Sequence, residues 1–428
     1  MPSAPQFRSE FLRTIVARGQ YYACTEPEAL DALFAKERVT AYIGFDCTAP
    51  SLHVGSLVQI MTLRRLQQAG HKPIVLMGGG TTKVGDPSGR DETRQILTPA
   101  QIEANKQSIL RIFERFLKFG DGPSDALMAD NAEWLDKLEY IAFLRDIGRH
   151  FSINRMLTMD SVKLRLERDQ ALTFLEFNYM ILQAYDFVEL YRRYGCRLKC
   201  GGSDQWGNIV SGTDLGRRVE NADLFGLTSP LLATASGAKM GKTAAGAVWL
   251  NADMCSPYDY WQYWRNSEDD DVGRFLRLFT ELPEADIARL EAVKGAELNE
   301  AKKVLATEAT ALAHGREAAD AAAETARRTF EEGATTEGLP IKTMDWPAGE
   351  VTGEHDWSQR RAEAILKASQ LAGSLSDARR KIAEGAVRIN DQLIGDPQLW
   401  FRKTDVDPQT GAFKVQYGKK KIVLVKPV

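Results

Sequence analysis

The chain has 428 residues, of which 44% are hydrophobic, 26% charged and 9% aromatic. This balance excludes disordered, collagen-like and coiled-coil chains, and the length implies two to four domains rather than one core. The net charge of −3 hides an asymmetry: from Ser358 to Val428 fourteen Lys and Arg stand against seven Asp and Glu, +7, which leaves −10 for the residues before them. A basic module follows an acidic body, and a basic module opens the question of nucleic acid.

No apolar run reaches the roughly 18 residues a membrane span needs. Met1 to Gln20 mixes apolar residues with Arg8, Glu10, Arg13 and Arg18 where a signal peptide would have an apolar core. The expectation is a soluble, cytoplasmic chain with no membrane partner. Five scattered cysteines (Cys24, Cys47, Cys196, Cys200, Cys255) imply no disulfide framework. Cys196 and Cys200, without a second Cys/His pair, do not make a zinc site, so no protein metal site is expected.

In chain order, Val39–Phe45 has strand composition and Asp46 to Ser51 has turn chemistry. Leu52–Gln68 then carries Leu57, Ile60, Met61 and Leu66 at helical spacing and closes at Gly70. A second strand, Pro73–Met77, stops at Gly78, Gly79 and Gly80. This β-loop-α-β unit sets two loops at the carboxyl ends of parallel strands, where open parallel sheets bind ligands. A doubly wound α/β domain is therefore expected. Helical patterns dominate from about residue 98 to 187, a helical insertion, and a strand returns at Arg197–Cys200. Pro283–Gly333 is rich in Ala and Glu with apolar residues at helical spacing. Gly338–Trp357, with Pro340, Pro347, Gly349 and Gly353, has linker character. In the tail, Ser376–Ile382 has the pattern of a helix start and Gly385–Asn390 of a loop and strand, which groups Arg379, Arg380, Lys381 and Arg388 as a phosphate-binding face. Lys419 to Lys421 precede a final strand and suit an edge guard.

Three constellations carry chemistry. Tyr42 to Ser56 runs from a strand end into a helix start. The unpaired N–H groups there, with Thr48 and His53 beside them, suit a polyphosphate, and Gly55 admits a planar ring close to the backbone. Lys239-Met-Gly-Lys242-Thr243 is a Gly-flanked loop able to fold over a triphosphate. It is not a P-loop, because Ser236 stands where that motif needs glycine. Tyr179, Gln183 and Asp186 are spaced i, i+4, i+7 and fall within about 60° on one helix face, where polar side chains imply a polar ligand.

The His53-Val-Gly-Ser56 helix start and the Lys239–Thr243 loop, about 190 residues apart, resemble the two signatures of class I aminoacyl-tRNA synthetases. Gly201-Gly-Ser-Asp-Gln-Trp-Gly-Asn-Ile209, Val84-Gly-Asp-Pro-Ser-Gly89, Tyr179 to Asp186 and Leu298 to Lys302 narrow the resemblance to the bacterial-type tyrosyl-tRNA synthetase family, over nearly the whole chain. The resemblance implies a Rossmann-like catalytic domain with a helical insertion (1–235, insertion about 98–187). It implies next a mobile lysine loop with a helical anticodon-facing domain (236–337), a linker (338–357) and a small α+β S4-like RNA-binding domain (358–428).

It also implies roles. Tyr42 and Asp186 take the substrate phenol, Tyr179, Gln183 and Asp86 its ammonium, and Gln205 lies beside the tyrosine. Gly44, Asp46, Gly55, Ser56 and Asp204 belong to the ATP site, with Asp204 on the ribose. Thr48 and His53 contact the γ-phosphate; Lys239, Lys242 and Thr243 close on pyrophosphate, helped by Arg90 and Arg94. The implied partners are L-tyrosine, ATP with Mg²⁺, tRNA(Tyr) and a second copy of the chain. Rejection of phenylalanine follows from leaving Asp186 and Tyr42 unpaired. The class figure for tyrosyl-tRNA synthetases, about 10⁵, is roughly 7 kcal/mol and is a property of the class, not a value calculated from this sequence.

Three positions depart from the family pattern: Ser56 where a second histidine is often found, Cys47 for a proline, and Lys199 for a glutamine. Tryptophanyl-tRNA synthetase is the sister alternative, disfavoured by the S4-like tail and by Asp186 with Tyr42. A non-catalytic RNA-binding protein on a synthetase scaffold is the other, disfavoured by intact His53, Asp204, Lys239 and Lys242.

Overall fold

The computed structural model describes residues 6–86, 96–237, 240, 242–243, 246–330, 339–347, 351–352, 355–356, 359–408, 410–418 and 421–428. Two compact units result: residues 1–240, 249–251 and 268–301 form the first, and residues 241–248, 252–267 and 302–428 the second.

The first unit is built on a six-stranded sheet of β1 (Ala23–Cys24), β2 (Thr40–Phe45), β3 (Lys72–Met77), β4 (Leu127–Asp130), β5 (Leu198–Gly202) and β6 (Phe225–Ser229), in the order β1-β6-β5-β2-β3-β4. All neighbours are parallel except β1 with β6. From β2 the chain winds outward through β3 and β4; it then returns to the other side of β2 as β5 and continues to β6. The order reverses between β2 and β5, and that is where a doubly wound sheet opens a ligand crevice. The pairing of these two strands ends at Tyr42↔Lys199, whereas β2 stays paired with β3 as far as Phe45↔Met77. The crevice opens at the carboxyl end of the short ladder.

β4 lies inside the stretch whose pattern is helical. Its four residues, Leu-Met-Ala-Asp, are too few to show an alternation of their own. The helix Phe174–Tyr194 starts with a capping box, in which Thr173 accepts from the Glu176 N–H and Glu176 accepts from the Thr173 N–H, and it ends at Gly195 in the left-handed region (φ 60°). Its apolar face packs Phe187 and Leu190 with Tyr42, Ile74, Leu76 and Trp134. The helix Trp206–Glu220 lies against it at Gly212, where an added Cβ would come 3.0 Å from the Phe187 ring.

In the second unit a five-stranded sheet orders Gln392–Leu393, Val387–Ile389, Phe413–Tyr417, Lys421–Pro427 and Ile341–Met344, with only the last pair parallel. Ile341–Met344, within the stretch of linker composition, is thus an edge strand of this sheet. Its core gathers Ile365, Leu366 and Ile382 from two helices against Val387, Ile389, Phe413, Val415 and Val425.

Candidate active site

A cavity of about 580 Å³ occupies the crevice between β2 and β5. It is lined by Tyr42, Gly44, Asp46, Thr48, His53, Gly55, Ser56, Asp86, Tyr179, Gln183, Asp186, Asp204 and Gln205, which are all the sequence-derived tyrosine and ATP residues whose side chains are described. Arg90, Arg94 and Lys239 lie outside the described residues. For Lys242 and Thr243 the structure gives the backbone, a short strand paired antiparallel with Gly246–Ala247.

At the inner end Asp186 is 2% exposed, and both its oxygens are held: Trp134 Nε1 donates to Oδ1 at 2.7 Å and Asn131 Nδ2 to Oδ2 at 3.0 Å. Burial raises its carboxyl well above the usual carboxylate range, while those two donors and the charge of Lys199 oppose the rise. Asn131 is itself fixed, accepting from the Gly80 N–H at 2.7 Å and donating to Thr81 Oγ1 at 3.0 Å. Tyr42 is 1% exposed, its ring edge-on to Phe187 at 5.3 Å. Its hydroxyl is buried without a hydrogen-bond partner among the described residues. A buried phenol oxygen left unpaired costs about 1–3 kcal/mol, so a hydroxyl-bearing ligand at this point has a ready partner.

Toward the opening, Tyr179 Oη donates to Asp46 Oδ2 at 3.0 Å and accepts from Gln183 Nε2 at 3.1 Å. Thr81 donates to the other Asp46 oxygen at 2.8 Å. Asp46, expected in the ATP site, therefore also braces the helix Phe174–Tyr194. Gln205 Nε2 donates to Asp86 at 3.1 Å and its Oε1 accepts from Asn208 at 2.9 Å. The ammonium of Lys199 donates to Gln183 Oε1. With its oxygen turned to Lys199 and its nitrogen to Tyr179, Gln183 is a brace, which leaves Asp86 as the carboxylate best suited to a ligand ammonium.

At the outer end His53 Nδ1 accepts from the Gly55 N–H at 3.0 Å, so a neutral ring carries its proton on Nε2 as a donor. Gly55 is required: a Cβ there would sit 2.7 Å from His53 Cε1 and 2.8 Å from Nδ1. Thr48 and Asp204 are exposed. Among the described residues no group of three or more His, Cys, Asp or Glu could hold a metal ion.

Asn131, Trp134 and Thr81 are site residues the motif reading missed. Their one signal was the apolar Leu127–Ala129 run ending in Asp130-Asn131, a third strand carboxyl end beside those of β2 and β3.

In the second unit Arg380 is 69% exposed and pairs with Asp377 at 2.6 Å, whereas Arg379 bonds Glu363, whose side chain is 5% exposed. Lys381, 17% exposed, donates to Asp377 and to the Leu371 carbonyl, both at 2.8 Å, and lies over the Tyr417 ring. Arg388 donates to the Asp391 carbonyl at 2.8 Å. Arg379 and Arg380 present their charge outward; Lys381 is committed to packing.

A family model described as tRNA synthetases class I (W and Y) matches residues 35–331. The tyrosine–tRNA ligase of Bradyrhizobium diazoefficiens is 60% identical over 98% of this chain and 99% of its own. The chain belongs to the bacterial-type tyrosyl-tRNA synthetases. The same ligase from Rhodopseudomonas palustris is 61% identical, again over 98% and 99%. A C-terminally truncated mitochondrial tyrosyl-tRNA synthetase from Aspergillus nidulans superposes with a TM-score of 0.68 at 30% identity, covering 76% of this chain and 95% of that one.

Proposed function

We propose that the chain activates L-tyrosine with ATP in the β2–β5 cavity and transfers it to the 3′ end of tRNA(Tyr). The observation that carries the tyrosine assignment is a held, buried carboxylate, Asp186, together with the Tyr42 hydroxyl, which has no hydrogen-bond partner among the described residues. Together they offer one acceptor and one hydroxyl to a phenol, and nothing to phenylalanine.

The chemistry needs no covalent enzyme intermediate and no side-chain base. The tyrosine carboxylate is already a nucleophile. It attacks the α-phosphorus of ATP in line, pyrophosphate leaves, and a ribose hydroxyl of the tRNA later displaces AMP. The protein's contribution is position and charge. Asp186 and Tyr42 fix the phenol, Asp86 takes the ammonium with Gln205 and Tyr179 around it, and Asp204 meets the ribose. Thr48 and the His53 Nε2–H stabilise the phosphates; Lys239, Lys242, Thr243, Arg90 and Arg94 complete the pyrophosphate end. Magnesium belongs to the phosphates of ATP in this scheme and supplies charge neutralisation.

The division of labour assigns catalysis to 1–235, the lysine loop and anticodon-facing helices to 236–337, a connection to 338–357 and RNA binding to 358–428, with Arg379, Arg380 and Arg388 toward phosphates. The homodimer belongs to the same proposal, in which a second copy covers exposed apolar side chains of the catalytic unit such as Tyr140, Ile141, Ile153 and Phe174. No helix among the described residues is long and apolar enough to cross a membrane, and we place the enzyme in the cytoplasm. The test is exchange of labelled pyrophosphate into ATP without tRNA, with tyrosine, tryptophan and phenylalanine in parallel. Exchange with tyrosine alone is expected, and exchange with tryptophan or with none of the three contradicts the reading.

A further inference from the structure

Strands Gln359–Arg361 and Trp400–Arg402 of the second unit form a two-stranded antiparallel ribbon, with Arg361 opposite Trp400, Arg360 opposite Phe401 and Gln359 opposite Arg402. Phe401 is 8% exposed and packs edge-on against Phe413 at 5.8 Å, and its register partner Arg360 donates to the Asp345 carbonyl at 3.1 Å. Side chains alternate along a strand, so Gln359, Arg361, Trp400 and Arg402 share the opposite, outer face. Trp400 is 50% exposed there, and the Arg361 guanidinium carbon lies 4.8 Å from its ring centroid. An indole left half in water forgoes burial, and with an arginine over its ring it is a ready stacking surface.

The surroundings are positive. Arg402 and Lys403 are exposed. The neighbouring carboxylates serve other groups: Asp396 accepts from the Gln398 N–H at 2.8 Å and Asp405 from the Arg402 N–H at 2.7 Å. Two residues beyond Arg361, the Glu363 carboxylate holds Arg379, and the Glu363 N–H donates to the Pro397 carbonyl at 3.1 Å. The ribbon is thus continuous with an arginine already assigned to phosphates, on a module that carries +7 from Ser358 to Val428. An aromatic ring flanked by guanidiniums on a positive module is complementary to an unpaired nucleotide, whose base has a flat face and whose phosphates are anionic.

We propose that the outer face of this ribbon is a stacking platform for an unpaired base of the tRNA, the base lying on the Trp400 ring while Arg361, Arg402 and Arg379 meet the flanking phosphates. The inference rests on the tRNA reading and adds to the phosphate contacts of that reading one that carries no charge. A stacked base releases no counterions. Its loss therefore lowers affinity without changing how affinity depends on salt, whereas loss of a phosphate contact changes both.

The test measures binding of a tRNA(Tyr) transcript to the full chain at several salt concentrations, for the native protein and for Trp400→Ala, Trp400→Leu and Trp400→Tyr. The Ala and Leu variants are expected to bind on the order of tenfold more weakly, with the native slope of log Kd against log salt, and the Tyr variant to stay within about threefold of native. An Ala variant within about twofold of native overturns the proposal. So does a Leu variant that binds as the Tyr variant does, because the contact would then be apolar rather than stacked and would suit a protein partner. If the Ala variant loses slope as well as affinity, the module itself has been disturbed and Tyr against Leu decides, equal losses overturning the proposal. Native protein that exchanges pyrophosphate with tyrosine but does not bind tRNA(Tyr) sinks the tRNA reading and the inference with it; native protein that binds while no Trp400 variant differs sinks the inference alone.

Discussion

The two ends of the cavity are built differently. At the inner end, proposed for the phenol, Asp186, Tyr42, Tyr179 and Lys199 are each less than 5% exposed, and every oxygen of Asp186 and Asp46 has a donor. At the outer end, proposed for the phosphates, Thr48 and Asp204 are exposed, and the Gly55 N–H turns the His53 imidazole. The contrast follows the chemistry. Choosing a phenol over a phenyl ring needs desolvated partners that cannot move to compensate for a missing hydroxyl. Charge on a leaving pyrophosphate develops only during reaction, so donors that close around it late lose nothing by being solvated first.

If that contrast holds, substitutions at the two ends fail in different ways. The largest effect is expected from Asp186→Ala, which removes the anionic acceptor and leaves Asn131 and Trp134 with buried donors unpaired. kcat/KM for tyrosine should fall on the order of 10³ in exchange kinetics; a loss below about tenfold would mean the phenol is read elsewhere. Gly55→Ala places a methyl 2.7 Å from the His53 ring and should lower kcat by roughly 10- to 100-fold with KM for tyrosine nearly unchanged. A KM effect instead would show that the ends are not separate. Trp134→Phe deletes the 2.7 Å donor to Asp186, and KM for tyrosine should rise about tenfold while kcat holds.

Acidity offers a gentler probe. Burial raises the Asp186 carboxyl, so it takes a proton at higher pH than an ordinary carboxylate, and the phenol loses its anionic acceptor as pH falls. KM for tyrosine is expected to rise severalfold in weakly acid solution; a KM flat down to about pH 4 contradicts this. For folding the sign is opposite. A carboxyl whose folded value is raised binds its proton more tightly in the fold than in the unfolded chain, so its contribution to stability is present at low pH and is lost as pH rises through the folded value.

On the RNA side, Arg380→Glu should weaken tRNA binding and leave tRNA-independent exchange intact. Arg380 is the better target than Arg379, whose removal would leave the buried Glu363 carboxylate without its cation.

Much of this was legible in the amino-acid order. The switch from strand to polar turn at Asp46, the glycines after Met77 and the polar face of Tyr179, Gln183 and Asp186 each carry a local physical signature, and the structure brings them to one cavity. Asn131 and Trp134 had only the short apolar run Leu127–Ala129 before them, too brief to mark a site. Their role exists only because β4 joins the sheet beside β3, a pairing distant in sequence and made by four residues. For the same reason Ile341–Met344 had linker composition and yet is a strand: its partner, Lys421–Pro427, lies at the far end of the chain. Lys381 belonged by sequence to a phosphate-binding face; packing over Tyr417 is a tertiary fact.

The most direct test of the phenol end is Tyr42→Phe, measured as the ratio of kcat/KM for tyrosine to that for phenylalanine. Removing one buried hydroxyl while keeping the ring should lower this ratio about tenfold through tyrosine alone, with phenylalanine unchanged. An equal loss for both amino acids would mean that Tyr42 only packs, and that the discrimination is made elsewhere.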